Sequence, residues 1–394
     1  MSNITSIQWA DTTVNPIMGC GGCELFPSPG KVLAAIDEAV AKSGTQIDSR
    51  AIYRRMVDEA YGVIRNPKSG QKNVVNTTNI WHLRKQFLKW IKTEHGQNAE
   101  AAAEEAIRQA VTCYAATLHL NKGIKLLKPA YEGKSGYAPI FESVTRFSGR
   151  SAKAARLQDL LGRSNPATPW KKQLPRLIFV SDMGDALSSQ GDFSFLMSDL
   201  MPAITSDAGK RHLWLWLTKR PSLMAKFSVE IGDFPENVCA MTTLTGPDPE
   251  SLQRLEDLKK VNAHMRGLSI EPLWERIPPS KFNLKGIDWV ILGGESGSGL
   301  KFTRPFALEW VEELREHCQS QGAAFFMKQL GRNPTRNGVP IRLRNAHGGD
   351  WQEWPDKGLK VREFPKAFHL YRKGEMRKSD KLRPIAGKKE PQGL

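Results

Sequence analysis

Six short apolar runs, alternating with helix-like segments, constrain this chain more than any other feature. They are Leu177–Val180, His212–Leu217, Val238–Thr243, Met265–Ile270, Trp289–Leu292 and Ala323–Met327. Each is too short for a helix and rich enough in β-branched, Leu and aromatic residues to be a buried strand. Between them, Phe193–Ile204, Ser222–Phe227, Ser251–Val261 and Pro305–Gln321 carry helical spacing. Strands alternating with helices predict a parallel sheet covered by helices. With one or two more strands around Tyr137–Val144 and at the N-terminus, the count suits an α/β fold, a complete or partial (β/α) barrel. A doubly wound open sheet is the alternative.

In either architecture, functional side chains gather where strands end. The expected strands here all run into polar or conformationally special residues. They lead into Ser181-Asp-Met-Gly-Asp185, Thr218-Lys-Arg-Pro221, Thr242-Thr-Leu-Thr245, Ser269-Ile-Glu-Pro272, Gly293-Gly-Glu-Ser-Gly297 and Met327-Lys-Gln329. Lys219, Glu271 and Lys328 are the candidate catalytic residues of this rim; Thr243 and Ser269 are candidates for ribose or substrate contacts. Ser181 and Asp185 can equally serve as helix caps.

The stretch before the strands has a different character. Residues 1–30 form a Gly/Pro-punctuated loop region, and 31–111 read as helices, with Val32–Ala41, Ser49–Ile64 and Ile80–Thr93 showing three- and four-residue apolar spacing. Residues 112–331 hold the barrel pattern and 332–394 a loop-rich basic extension. The helical insertion carries Arg50, Arg54, Arg55, Arg65, Lys68, Lys72, Arg84, Lys85, Lys89 and Lys92. The last 23 residues carry eight Lys/Arg against three acids. A formal charge of +16 favours an anionic partner, a nucleic acid or nucleotide, over a neutral one. No apolar run is long enough to span a membrane, and the polar first residues lack the apolar core of a secretory signal. Five cysteines at uneven spacing argue against a disulfide framework and for a reducing, cytoplasmic setting.

Three of those cysteines suggest a metal. Cys20-Gly-Gly-Cys23 is a C-x₂-C pair on a glycine turn, and Cys113 follows about ninety residues later. The glycines let both sulfurs turn to one side. The residue types suit a zinc site, with His119 or another His as fourth ligand, and an iron–sulfur site equally well. Cys239, in an expected strand, and Cys318, in an expected helix, read as ordinary buried thiols.

Several ordered motifs resemble a known group. They are Ile7-Gln-Trp-Ala-Asp-Thr-Thr-Val-Asn-Pro-Ile-Met-Gly-Cys20, Cys113-Tyr-Ala115, Phe179-Val-Ser-Asp-Met-Gly-Asp-Ala186 and Leu217-Thr-Lys-Arg-Pro221. Leu268-Ser-Ile-Glu-Pro-Leu273, Ile287–Gly297, Phe325-Phe-Met-Lys-Gln329 and Gly348-Gly-Asp-Trp-Gln-Glu-Trp-Pro355 complete the set. Together they resemble a phage-associated three-cysteine-motif family related to radical-SAM proteins. The resemblance covers nearly the whole chain except the helical insertion and the basic tail. It implies a radical-SAM-like barrel in which Cys20, Cys23 and Cys113 ligate a [4Fe–4S] cluster, leaving one iron open for S-adenosylmethionine. Reductive cleavage of that cofactor to a 5′-deoxyadenosyl radical would then act on a nucleic acid or nucleotide. Gly293, Gly294 and Glu295 match the family's Gly-Gly-Glu, whose carboxylate holds the methionine ammonium.

Two departures stand out. Typical radical-SAM proteins carry all three cysteines in one C-x₃-C-x₂-C loop, whereas Cys113 here lies beyond the insertion. Their Gly-Gly-Glu follows the second strand, whereas Gly293–Glu295 follows a late one and can also be a tight strand-to-helix turn. The rival expectation is a nucleic-acid-binding protein with a structural metal and no catalysis. A barrel serving a protein partner, with Trp351 and Trp354 at the contact, is a third.

Overall fold

The computed structural model describes residues 7–60, 64–65, 72–73, 80–118, 141, 144–163, 165–171, 173–188, 191–296 and 300–373. The chain divides into two compact units, one of Met1–Ile17 with Arg146–Leu394, the other of Met18–Thr145. Most of the strand expected near Tyr137–Val144, His119 and nearly all of the basic tail lie outside the described residues. Among those described, no helix is long and apolar enough to cross a membrane.

The first unit is built on seven parallel strands: β1 (Thr12–Val14), β2 (Leu177–Val180), β3 (Leu213–Thr218), β4 (Val238–Thr243), β5 (Met265–Ile270), β6 (Trp289–Gly293) and β7 (Ala324–Gln329). They lie side by side in chain order, and the sheet curls into a half-barrel with helices. A doubly wound sheet reverses its strand order at a switch point; this order never reverses. Nor does β7 return to β1: the segment Val361–Glu363 pairs along β7 instead, with Met327 N donating to Val361 O at 2.8 Å and Glu363 N to Phe325 O at 2.9 Å.

Both faces of the sheet are buried, which is why the strands read as continuous apolar runs instead of alternating ones. One face gathers Leu177, Phe179, Leu213, Leu215, Cys239, Met241, Met265, Trp289, Ile291 and Phe326 into a core with Trp9, Phe364 and Phe368. Trp289 is its centre, with ring centroids 6.2 Å from Trp9, 5.2 Å from Phe364 and 5.4 Å from Phe368. Gly267 makes room there: a Cβ would stand 3.1 Å from the Met241 side chain. On the opposite face Trp216 packs against Phe227 and Phe234.

Arg362 ties the two ends of the chain into this unit. Its guanidinium lies 3.9 Å from the Trp170 ring centroid and 4.6 Å from that of Trp351. It donates to Met327 O, Lys328 O and Gln8 Oε1.

The second unit is helical: α1 (Pro29–Lys42), α2 (Ser49–Ala60) and α3 (Ile80–Ala110). Val32, Leu33, Ile36 and Val40 of α1, Ile52 and Met56 of α2, and Leu83, Phe87 and Ile91 of α3 are buried. Ser49 Oγ donates to Leu33 O, fastening α2 to α1. α3 breaks at Gly96, whose φ of 83° is open to glycine at no steric cost. The second helix stops four residues short of the expected Ile64, which pairs with Asn73 in a two-residue antiparallel ladder. Gly62 interrupts the helical pattern, and the β-branched Val63 and Ile64 suit extended backbone.

Candidate functional site

The cysteines are positioned by backbone hydrogen bonds. Cys23 and Phe26 exchange both of theirs, N to O at 3.1 and 3.0 Å, closing a four-residue turn. The turn needs glycine at position 22, where φ is +99° and a Cβ would meet Phe26 O at 2.8 Å. At its tip the Leu25 carbonyl accepts from the N–H groups of both Thr112 and Cys113, at 3.0 and 2.9 Å. Cys20 N donates to Phe141 O at 2.8 Å, and the Phe141 ring meets Phe26 edge-on at 5.1 Å. Two distant parts of the second unit are thereby held together, and all three thiols are free of disulfides.

Their electrostatics records the proximity. Burial, then neighbouring Cys23, then Cys20, push the Cys113 thiol up to about 12, opposed by N–H groups of Ala116 and Ala115. Cys113 as a residue keeps some exposure, but titration follows the sulfur, and its desolvation is the largest cause. As arranged, the three side chains do not converge on one point: among the described residues, no group of three His, Cys, Asp or Glu has the geometry of a metal site. Cys239 and Cys318 are fully buried, in β4 and in the helix Leu308–Gln321, with thiols raised chiefly by burial.

In the first unit, parallel strands bring all the expected strand-end residues to one edge. Glu271, after β5, pairs with Lys328 of β7. Gly293 lies between them on β6, and a Cβ there would stand 3.1 Å from the Glu271 side chain and 3.3 Å from Gln329. Thr243 and Ser269 are buried at the ends of β4 and β5; the Thr243 carbonyl accepts from Arg254 and that of Ser269 from Leu244 N. Lys219 contributes its backbone N–H to Asp185 at 3.0 Å.

The Gly-Gly-Glu turn has a clear packing role. A Cβ on Gly294 would meet Leu330 O at 2.4 Å, so only glycine lets these two backbones approach. Glu295 is buried and engaged: Arg304 donates to it through its backbone N–H and its guanidinium, at 3.2–3.3 Å. Arg304 in turn covers the Trp274 ring at 4.3 Å.

Two further clusters on this edge fall within the quoted motifs but outside the candidate catalytic and cofactor-binding residues. Asp185 accepts from the Thr218 hydroxyl, the Lys219 N–H and Arg220 Nη1, at 2.9, 3.0 and 3.2 Å, besides capping Leu187 N. Residues 186–188 form a turn, so Asp185 caps a turn in place of the expected helix while it also makes its cross-strand contacts. Asn15, just after β1, donates to Asp182 at 2.5 Å and accepts from Met183 N at 2.9 Å. Ser181 has φ of 69°, is 4% exposed, and its hydroxyl has no partner among the described residues. The signal for Asn15 was its place at the end of the N-terminal strand; nothing local marks Arg304.

The model of a family described as a protein of unknown function (DUF5131) matches residues 89–380. The chain belongs to this family. The DUF5131 match begins inside α3 and takes in Cys113 and strands β2–β7; Cys20, Cys23 and β1 precede it. No curated protein and no solved structure matches the chain.

Proposed function

We propose that this DUF5131 member is a radical-SAM-like iron–sulfur enzyme that cleaves S-adenosylmethionine reductively to modify a nucleic acid or nucleotide. The observation that carries this reading is the double hydrogen bond from Thr112 and Cys113 to Leu25 O, which brings a third thiol to the Cys20–Cys23 turn.

The donor set fits a thiolate-bound cluster. The buried Cys113 thiol, beside Cys23 and Cys20, resists ionising, and a cation that replaces its proton removes that penalty. Cys20, Cys23 and Cys113 are the residues that would hold it. Bound there, a [4Fe–4S] cluster supplies one-electron chemistry.

The half-barrel edge offers the polar groups that a zwitterionic, ribose-bearing cofactor needs. Lys328 and Glu271 are paired with each other, so each can exchange its partner for a ligand group of the same sign without leaving a bare charge. Lys219 has a side chain suited to a carboxylate or phosphate, and Thr243 and Ser269 to ribose hydroxyls. Glu295 is the ammonium acceptor of this reading, and it acts by giving up its bond to Arg304. Gly293 and Gly294 keep the backbone beside it thin.

Anaerobic reconstitution with iron and sulfide tests the proposal. The expected result is a broad absorbance near ~400 nm and about four irons per chain, lost together in Cys20→Ser, Cys23→Ser and Cys113→Ser. Zinc alone in the purified protein, with no chromophore after reconstitution, overturns it in favour of a structural metal.

A further inference from the structure

The helical unit carries a charge pattern that its own stability does not explain. Between Ser49 and His95 the sequence has ten Lys/Arg and three acids, Asp58, Glu59 and Glu94. On α2, Arg50, Arg54 and Arg55 are exposed; on α3, so are Lys85, Lys89 and Lys92. Arg50 and Arg54 are one turn apart, as are Lys85 and Lys89, and such like-charge pairs weaken a helix. Some cations on other helices have acidic partners about one turn away. Lys42 pairs with Glu38, Lys259 with Glu256 and Lys260 with Asp257. On the basic face, among the described residues, Lys92 pairs with Glu100 at 3.1 Å; Asp58 and Glu59 stand one turn after Arg54 and Arg55 in the sequence, while Arg50, Lys85 and Lys89 have no acid at that spacing. The two helices present one surface: the Arg55 guanidinium lies 5.2 Å from the Trp90 ring, between Lys89 and Lys92 in the α3 sequence.

We propose that this α2–α3 face is a docking surface for the phosphate backbone of a nucleic acid, with Arg50, Arg54, Arg55, Lys85, Lys89 and Lys92 as its contacts. The assignment rests on the nucleic-acid substrate of the preceding section and gives it a location. Lys85 to Lys92 spans seven residues, about 10 Å at 1.5 Å per residue, which matches about three phosphates of one strand at 3.4 Å each. A lipid surface fits less well. Helices that lie in a membrane interface bury an apolar face there, whereas Ile52, Met56, Leu83, Phe87 and Ile91 are already buried in the protein.

The test is fluorescence anisotropy with the full-length protein and three labelled probes: a 20-nucleotide single-stranded DNA, a 20-base-pair duplex and a 20-nucleotide RNA. The variant R50Q/R54Q/K85Q/K89Q should bind its preferred probe at least tenfold more weakly at about 0.15 M salt. Its slope of log K against log salt should be shallower by about three, at 0.7–0.9 per lost contact. K85Q/K89Q alone should show about half of that slope change, and both variants should keep the helical circular dichroism of the parent. A control, K226Q/K281Q/K285Q, removes exposed charges from the half-barrel unit and should bind within about twofold of the parent. Equal weakening by the control, or an unchanged slope in the quadruple variant, overturns the assignment. So does binding to phosphatidylserine vesicles with none to any nucleic acid. The two proposals fail separately: Cys20→Ser/Cys113→Ser should abolish iron loading and leave the anisotropy curve intact. Failure of iron loading in the parent, with the quadruple variant still defective in binding, removes the enzyme and keeps the surface.

Discussion

Glu271 and Lys328 form an ion pair although their strands, β5 and β7, are not neighbours; β6 lies between them, and its Gly293 leaves the space they need. The side chains of both are largely buried, so each neutralises a charge that would otherwise be costly.

Substitution of this trio should therefore be non-additive. Gly293→Ala places a methyl 3.1 Å from Glu271 and should cost about 1–2 kcal/mol by overpacking. Lys328→Met should cost about 2–3 kcal/mol by stranding Glu271, and Glu271→Gln/Lys328→Met should recover most of that. Urea unfolding of these proteins and of the Glu271→Gln single variant checks both numbers; simple additivity would mean the pair contributes little.

Gly22→Ala should damage the cysteine turn specifically. The new Cβ would meet Phe26 O at 2.8 Å, at a φ that L-residues avoid. Bound iron after reconstitution should fall severalfold, while the thermal transition of the half-barrel should stay within a few degrees. Gly30→Ala, where nothing stands within 4 Å of the new Cβ, is the matched control.

The Cys113 thiol gives a pH signature in metal-free protein. Its folded value of about 12 lies above the unfolded value near 8.5, so the folded state holds the proton more tightly. The stability this contributes is complete below about pH 8.5 and declines as pH rises from there toward 12. Between pH 8 and 11 the parent should lose more thermal stability than Cys113→Ala. A thiol reagent should modify Cys113 at a rate that climbs about tenfold per pH unit over the same range, since only the thiolate reacts.

Arg362 should resist conservative replacement. Its planar guanidinium lies against Trp170 and Trp351 while donating to Gln8, Met327 and Lys328. Lysine cannot stack and fork in that way. Arg362→Lys and Arg362→Ala should both destabilise by about 2–4 kcal/mol, which lowers Tm by roughly 5–15 °C in a unit of this size. Differential scanning calorimetry distinguishes this from a surface arginine, whose loss shifts Tm by about a degree.

The six strands after the insertion were legible because each is a short run buried on both faces, and β2, β4 and β5 fall on the expected residues. Tertiary pairing shifted β3 by one residue, extended β6 to Gly293, and moved β7 to start at Ala324 and end at Gln329. The helix after Ser49 was overread, since apolar spacing alone does not register the conformational preference of Gly62. Cys20, Cys23 and Cys113 were legible as a candidate set by residue type. Their approach to one another was not, since it depends on the Leu25 carbonyl, a backbone atom with no sequence signature.

The amino-acid sequence by itself determined the order of strands and helices, the polar character of the sheet's carboxyl edge and the excess of positive charge. These follow from local hydrophobic period and composition, which each segment carries alone. Only the tertiary structure decided that the sheet stays in chain order, that Glu295 is held by Arg304, and that Arg362 joins the chain's two ends. Those outcomes depend on pairs far apart in the chain, whose meeting is set by packing of the whole unit and not by the propensity of either partner.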